Sequence, residues 1–146
     1  MKIKNMGLKS MEARRFVKDF SQPINIRIDH NSSIRLFSYT DNNEAYVEFE
    51  YTASYGSVGL IKLEGEFTYE GDDAQEVAKR WQEQKNMPNE LASHIHTSLM
   101  HFCLPEAVMI ARDLKLPPPI PLPQVRFEKD ADGAKSKKRF GGPEVA

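Results

Sequence analysis

A chain of 146 residues with a net charge of −1 and a pI near 6.4 has room for one domain with a modest core. That balance excludes the whole-chain basic footprint of a nucleic-acid binder and any strong electrostatic pull to a membrane surface. The single cysteine, Cys103, excludes an internal disulfide, and there is neither a membrane-length apolar run nor a cleavable apolar leader, so the expectation is a cytoplasmic protein in a reducing compartment.

Lys2 to Lys18 carries Met6, Leu8, Met11, Ala13 and Phe16 among lysines and arginines, and its alternation breaks between Leu8 and Met11. A long basic strand with a bulge fits, of the kind found at a sheet edge, where lysines discourage uncontrolled pairing. A weak amphipathic helix over Ser10 to Asp19 competes with it. Pro23 to Asp29 alternates, with Ile24, Ile26 and Ile28 on one side. His30 to Ser33 breaks that register, and Ile34 to Tyr39 resumes as strand. After the turn signal Asp41-Asn42-Asn43, Ala45 to Ser54 places Ala45, Val47, Phe49, Tyr51 and Ala53 on one face. Tyr55-Gly56-Ser57 closes a hairpin onto Val58 to Glu70, where Ile61, Leu63, Phe67 and Tyr69 oppose Lys62, Glu64 and Glu66. Consecutive hairpins with one wet face predict an antiparallel sheet.

Asp73 is a candidate cap for a short helix, Ala74 to Gln84, whose apolar contacts are Val77 and Trp81. Asn89 is a candidate cap for a long one. Leu91, Ile95, Leu99, Phe102, Ala107, Val108, Ala111 and Leu114 recur in steps close to helical, with Glu90 in the first turn and Arg112 and Lys115 at the other end. Pro105 lacks an N–H and is expected to kink or divide this helix, and Pro117 to stop it. The prolines from Pro117 to Pro123 predict an extended strap anchored on its own domain by Ile120, Leu122, Val125 and Phe127; a PxxP ligand is the competing reading. The fold class expected is α+β: a four-stranded antiparallel meander with a short helix and a long Pro-kinked helix on one face, and a Pro-rich C-terminal strap. Residues 1–127 form that domain, and 128–146, with Lys135, Lys137, Lys138 and Arg139, form a disordered basic tail.

No enzyme chemistry stands out. Cys103 lacks a His–Asp partner pattern and reads as a small core residue. His94, His96 and His101 on the long helix are not spaced to chelate a metal by themselves, and no HExxH exists. Glu128-x-Asp130-x-Asp132-Gly133 opens like a calcium loop, but its twelfth position is Arg139 instead of a bidentate glutamate. No phosphate-cradling glycine loop is present. No cofactor and no catalytic residue are expected.

Leu104-Pro105-Glu106-Ala107, followed by Leu116-Pro117 and by Ile120-Pro121-Leu122-Pro123-Gln124-Val125-Arg126-Phe127, resembles the main helix and proline-rich ending of the SecB-like protein-export chaperone family. Met11-Glu12-Ala13-Arg14-Arg15-Phe16 is similar to that family's first strand. The resemblance spans residues 2–127, and its C-terminal third is the specific part. It implies an ATP-independent holdase for unfolded or partly folded polypeptides, and a homo-dimer or tetramer built through the first strand and the long helix. It also implies client grooves between sheet and helices, with Trp81, Met87 and Tyr69 on the polypeptide-binding wall; a tryptophan placed like Trp81 is more often a core anchor than a client contact. Glu48, Glu50, Glu64 and Glu66 could form an acidic sheet face of the kind that meets an export motor. The alternative is a dedicated interaction module, also non-enzymatic, whose basic tail recruits one protein partner or RNA.

Overall fold

Alternation of side chains decides the sheet. In the computed structural model, which describes residues 1–18, 26–121, 123, 125 and 127, β1 (Lys2–Arg15), β2 (Asp29–Tyr39), β3 (Glu44–Ser54) and β4 (Gly59–Glu70) form one antiparallel sheet in the order β1-β4-β3-β2. Every second residue of β3 and β4 is buried beneath two helices, α1 (Ala74–Gln84) and α2 (Asn89–Asp113). The residues between them, largely charged, stay half-exposed on the open face. The α+β class, with a four-stranded antiparallel sheet and both helices on one face, is therefore as expected from the alternation; β2-β3-β4 is the meander, and β1 joins it beside β4.

Turn chemistry sets the registers. Asn42 and Asn43 both take positive φ (50° and 60°) between Asp41 and Glu44, and the Glu44 N–H donates to the Asp41 carbonyl at 2.9 Å. That is the two-residue hairpin whose twist matches the strands it joins. Gly56 (φ 66°) serves the next hairpin. In β1 the register slips between Lys4 and Gly7 and again between Leu8 and Ser10, with Asn5 at φ 57°; this is the bulged edge strand that the broken alternation predicts, and the competing helix over Ser10 to Asp19 does not form up to Arg15.

Several details differ from expectation. The strand predicted from Pro23 instead begins at Asp29; residues 23–25 lie outside the described residues, and 26–28 are not strand. The polar run His30 to Ser33 is part of β2, because its side chains find partners across the fold. His30 Nδ1 lies 2.7 Å from the Tyr51 hydroxyl, and Ser32 Oγ lies 2.6 Å from His96 Nδ1 on α2. Neither predicted cap caps: Asp73 accepts a hydrogen bond from the Tyr69 hydroxyl (2.7 Å) instead of from an α1 N–H, and Asn89 is already the first residue of α2, with Pro88 ahead of it. Pro105 does not divide α2, which runs unbroken for 25 residues; Pro105 and His101, whose carbonyl loses its intrahelical donor, are both exposed, so water can reach that carbonyl. The strap begins on the domain, with Leu116 and Pro119 buried, but Ile120 is exposed and Val125 and Phe127 are 61% and 86% exposed, so these three do not anchor it. Leu122 and the basic cluster at 135–139 lie outside the described residues.

Candidate polypeptide-binding surface

Three buried tyrosines tie the domain together, and one of them opens onto its pocket. The rings of Tyr51, Tyr55 and Tyr69 lie in the core, and each hydroxyl reaches a partner outside its own hairpin strand. Tyr51 meets His30 at the start of β2, Tyr55 donates to the Pro117 carbonyl at 2.7 Å where the strap begins, and Tyr69 donates to Asp73 at the start of α1. Burial raises all three pKa values, that of Tyr55 to about 12, so all three remain neutral hydroxyls.

Beside Tyr69 is a cavity of about 360 Å³ where the turn after β4, the first turn of α2 and Met1 converge. Tyr69 and Leu91 are its buried apolar lining; the exposed Asp72, Asp73 and Glu90 add carboxylates. Of the three predicted wall residues, Tyr69 (1% exposed) lines this cavity, while Trp81 (9%) and Met87 (8%) do not. Trp81 packs from α1 into the core with Lys85 Nζ 4.2 Å from its ring centroid, and Met87 packs from the segment joining the helices. All three belong to the same buried core, and Tyr69 is the one that lines this cavity.

The predicted acidic face exists as a ladder of cross-strand glutamates: Glu44 opposite Glu70, Glu48 opposite Glu66, and Glu50 opposite Glu64. Like charges opposed this way repel, and each rung is bridged by a cation. Lys4 reaches Glu44 (2.6 Å) and Glu70 (3.3 Å), Lys9 reaches Glu48 (2.8 Å) and Glu66 (4.0 Å), and Lys62 reaches Glu50 (3.4 Å) and Glu64 (3.9 Å), with Arg35 also 3.4 Å from Glu50. Lys4 and Lys9 stand on β1 and stretch over β4 to β3, clipping the edge strand to the sheet. Hydrogen bonding to Lys9, then to Tyr46, lowers the Glu48 pKa; Tyr46, bonded to Glu66 and Glu48, is pushed up to about 12. The glutamates are already paired within the chain.

A surface that sequence reasoning passed over lies at the far end of β1. The helices pack on β2, β3 and β4, and β1 is held mainly by its pairing with β4. Met11 and Phe16 are consequently exposed, as is Met109 on α2. The available signal was two large apolar residues in an otherwise basic edge strand. Among the described residues, no group of three or more His, Cys, Asp or Glu is placed to hold a metal ion, and no helix is long and apolar enough to cross a membrane.

No protein-family model and no curated protein sequence matches the chain. A solved structure does: the Mycobacterium tuberculosis Rv1957 SecB-like chaperone in complex with a ChAD peptide from the Rv1956 HigA1 antitoxin, at 13% identity and a TM-score of 0.53, over 84% of this chain and 89% of that one. The fold is SecB-like. At that identity the match speaks for architecture, and the SecB-like frame accounts for a four-stranded sheet with helices on one face only.

Proposed function

We propose that this chain is an ATP-independent binder of non-native polypeptides, a holdase, acting without catalysis. The observation that carries the reading is the SecB-like fold, shared with a chaperone described with a peptide of a partner protein bound. The surface suits polypeptide capture. Exposed Met11, Phe16, Met109, Val125 and Phe127 offer apolar contacts, and the sheet ends in two strands, β1 and β2, whose outer edges pair with no other strand among the described residues. An extended client gains main-chain hydrogen bonds at such an edge and apolar burial beside it, with little demand on its sequence. Tyr69, Trp81 and Met87 are proposed as the apolar floor that a client reaches, at the cavity for Tyr69 and on displacement of Lys85 for Trp81. A second copy is proposed to cover the outer side of α2, where Met109 is exposed and Met100, Phe102, Leu104 and Ile110 are only partly buried, giving a dimer or tetramer.

The test is light scattering from a reduced, unfolded protein diluted out of denaturant. Near-stoichiometric amounts of this chain, with no nucleotide, are expected to suppress scattering, and the emission of Trp81, the only tryptophan, to shift on client addition. Scattering that is unchanged at a severalfold molar excess rejects the holdase. A dedicated partner would then be the reading favoured by the antitoxin peptide seen with the similar chaperone.

A further inference from the structure

Strand β2 is made of two unlike halves. Its register against β3 slips between Ile34 and Leu36, so Arg35 is an extra, exposed residue that interrupts the ladder. Past that bulge Phe37 is fully buried, and its carbonyl accepts a hydrogen bond from Gln82 of α1 at 3.4 Å. Before it, Asp29 to Ile34 has one aliphatic side chain, the half-buried Ile34, and the residues leading into it, 26–28, are not strand. A stretch with so little apolar burial, a bulge at one end and a non-strand lead-in at the other has the makings of a locally opening unit. Two side-chain bonds hold it down. His30 Nδ1 lies 2.7 Å from the Tyr51 hydroxyl, and Ser32 Oγ lies 2.6 Å from His96 Nδ1 on α2. Ser32 stands opposite Tyr51 in the ladder, so the two bonds gather at one place on the helix side of the sheet.

The bond to α2 depends on charge. His96 is half-buried, and burial lowers its pKa below the ordinary 6.5. Its partner Ser32 offers a neutral hydroxyl, and no ion pair reaches His96 among the described residues. The titratable groups on the same side are His30 of β2, Tyr51 of β3 and Cys103, two turns on along α2; burial keeps the tyrosine and the thiol neutral. Asp29, the only acid in β2, pairs with Arg27 at 3.0 Å. β4 turns Ile61, Leu63 and Phe67 to the helices, and α1 meets β2 past the bulge. On α2 itself the residues a turn away, Ala92, Ser93, Leu99 and Met100, are uncharged. An imidazolium here has no counter-charge and regains water only if the segment over it lifts, so proton uptake favours the lifted form. We propose that Asp29 to Ile34 is an acid-released latch: proton uptake by His96 frees the segment to swing about Arg35, baring the β3 edge from Glu50 to Ser54 and the Tyr51 ring. Such a latch stands apart from polypeptide binding, because it opens with or without a client.

The Tyr55 N–H donates to the Gly59 carbonyl, which turns Tyr55 towards β4 and, by alternation, Ser54, Thr52 and Glu50 towards β2. Their partners Asp29, Asn31 and Ser33 therefore carry the N–H groups that report on the latch. The experiment measures amide exchange of the full chain by NMR at pH 7.5 and 5.5, each rate compared with that of the unstructured sequence at the same pH. The closed form is favoured above about pH 6.5 and weakens as pH falls through the lowered His96 pKa. Protection at Asn31 and Ser33 is expected to fall at least about threefold between the two pH values, while protection at Leu36 and Ser38, past the bulge, holds. His96→Asn, which places an amide near the former Nδ1, should abolish the pH effect, and so should His96→Gln, a better helix former. Three results overturn the proposal: unchanged protection at Asn31 and Ser33, an equal fall at Leu36 and Ser38, or a pH effect that survives in both His96 variants.

Discussion

At Gly65 the sheet has no room for a methyl group. The residue faces Phe49 on β3 and Leu8 on β1, and the Phe49 ring lies where a side chain would be: an added Cβ would sit 2.6 Å from Phe49 Cζ and closer still to the Gly7 carbonyl. Alanine generally gains about 0.5–1 kcal/mol over glycine inside a strand by losing less backbone entropy. Overpacking a closed site costs about 1–3 kcal/mol, and here the obstacles are a backbone oxygen and a fully buried ring, neither of which can swing away. The clash wins, so Gly65→Ala is expected to lower unfolding stability by about 1–2 kcal/mol in urea titration. An unchanged midpoint would show that Phe49 repacks freely. The same residues mark a limit of sequence reading: the alternation of β4 assigns Gly65 to the buried face, but nothing local says that an aromatic ring from the neighbouring strand occupies the gap. Tyr69 is the parallel case at the site. Its burial is legible from Ile61, Leu63 and Phe67 before it. Its cavity is not, since Asp72, Asp73 and Glu90 meet there through the fold.

Elements were legible where a local pattern had no tertiary competitor. The span of α1 agrees to the residue, and β3 and β4 to within one, because alternation and turn residues point the same way there. They were misread where a distant side chain changed the local balance. Polar residues from His30 to Ser33 argue against a strand until Tyr51 and His96 satisfy them, and Asp73 argues for a cap until the Tyr69 hydroxyl claims its carboxylate. The end of α2 is a third instance. Lys115 takes φ 61°, Leu116 N–H donates to the Ala111 carbonyl (2.8 Å), and Lys115 N–H donates to the Arg112 carbonyl (3.2 Å), which is the double bond pattern of a Schellman ending with lysine where glycine is usual. A left-handed non-glycine residue costs about 1–2 kcal/mol, whereas an exposed lysine at a helix C-terminus returns about 0.3–1 kcal/mol through the dipole. Lys115→Gly is therefore expected to stabilise the domain by about 0.5 kcal/mol, raising the thermal midpoint by roughly 2 °C in a calorimetric scan. A lower midpoint would mean that the lysine contributes more at this site than its backbone strain costs.

For the whole molecule, the Lys9 clip between β1 and β3 is one contribution to how the fold answers to acid. Glu48 is held below its ordinary carboxylate pKa, first by the hydrogen bond from Lys9 and then by that from Tyr46, so the folded state binds its proton less readily than the unfolded chain does. A group depressed in this way stabilises the fold above its unfolded pKa, near 4.5, and that contribution is lost as pH falls through the lower folded value. His96 works in the same direction at higher pH: burial lowers its pKa, so the fold begins to lose stability as pH drops below about 6.5, where the unfolded imidazole takes up a proton. A substitution that acts on one group alone permits an assignment. Lys9→Gln returns Glu48 towards its ordinary pKa without touching His96, so the variant should be less stable than the parent at pH 6, and the gap should narrow as pH falls below about 4.5 and through the lowered Glu48 pKa. Above about pH 5.5, where Glu48 is charged in both the folded and the unfolded chain, the two stability curves should run parallel. Urea midpoints measured every half unit from pH 7 to 3 would show both features. Curves that stay parallel to pH 3 would place the contribution of Lys9 outside the Glu48 pair, and would remove the support for β1 being clipped to the sheet across β4 by charge.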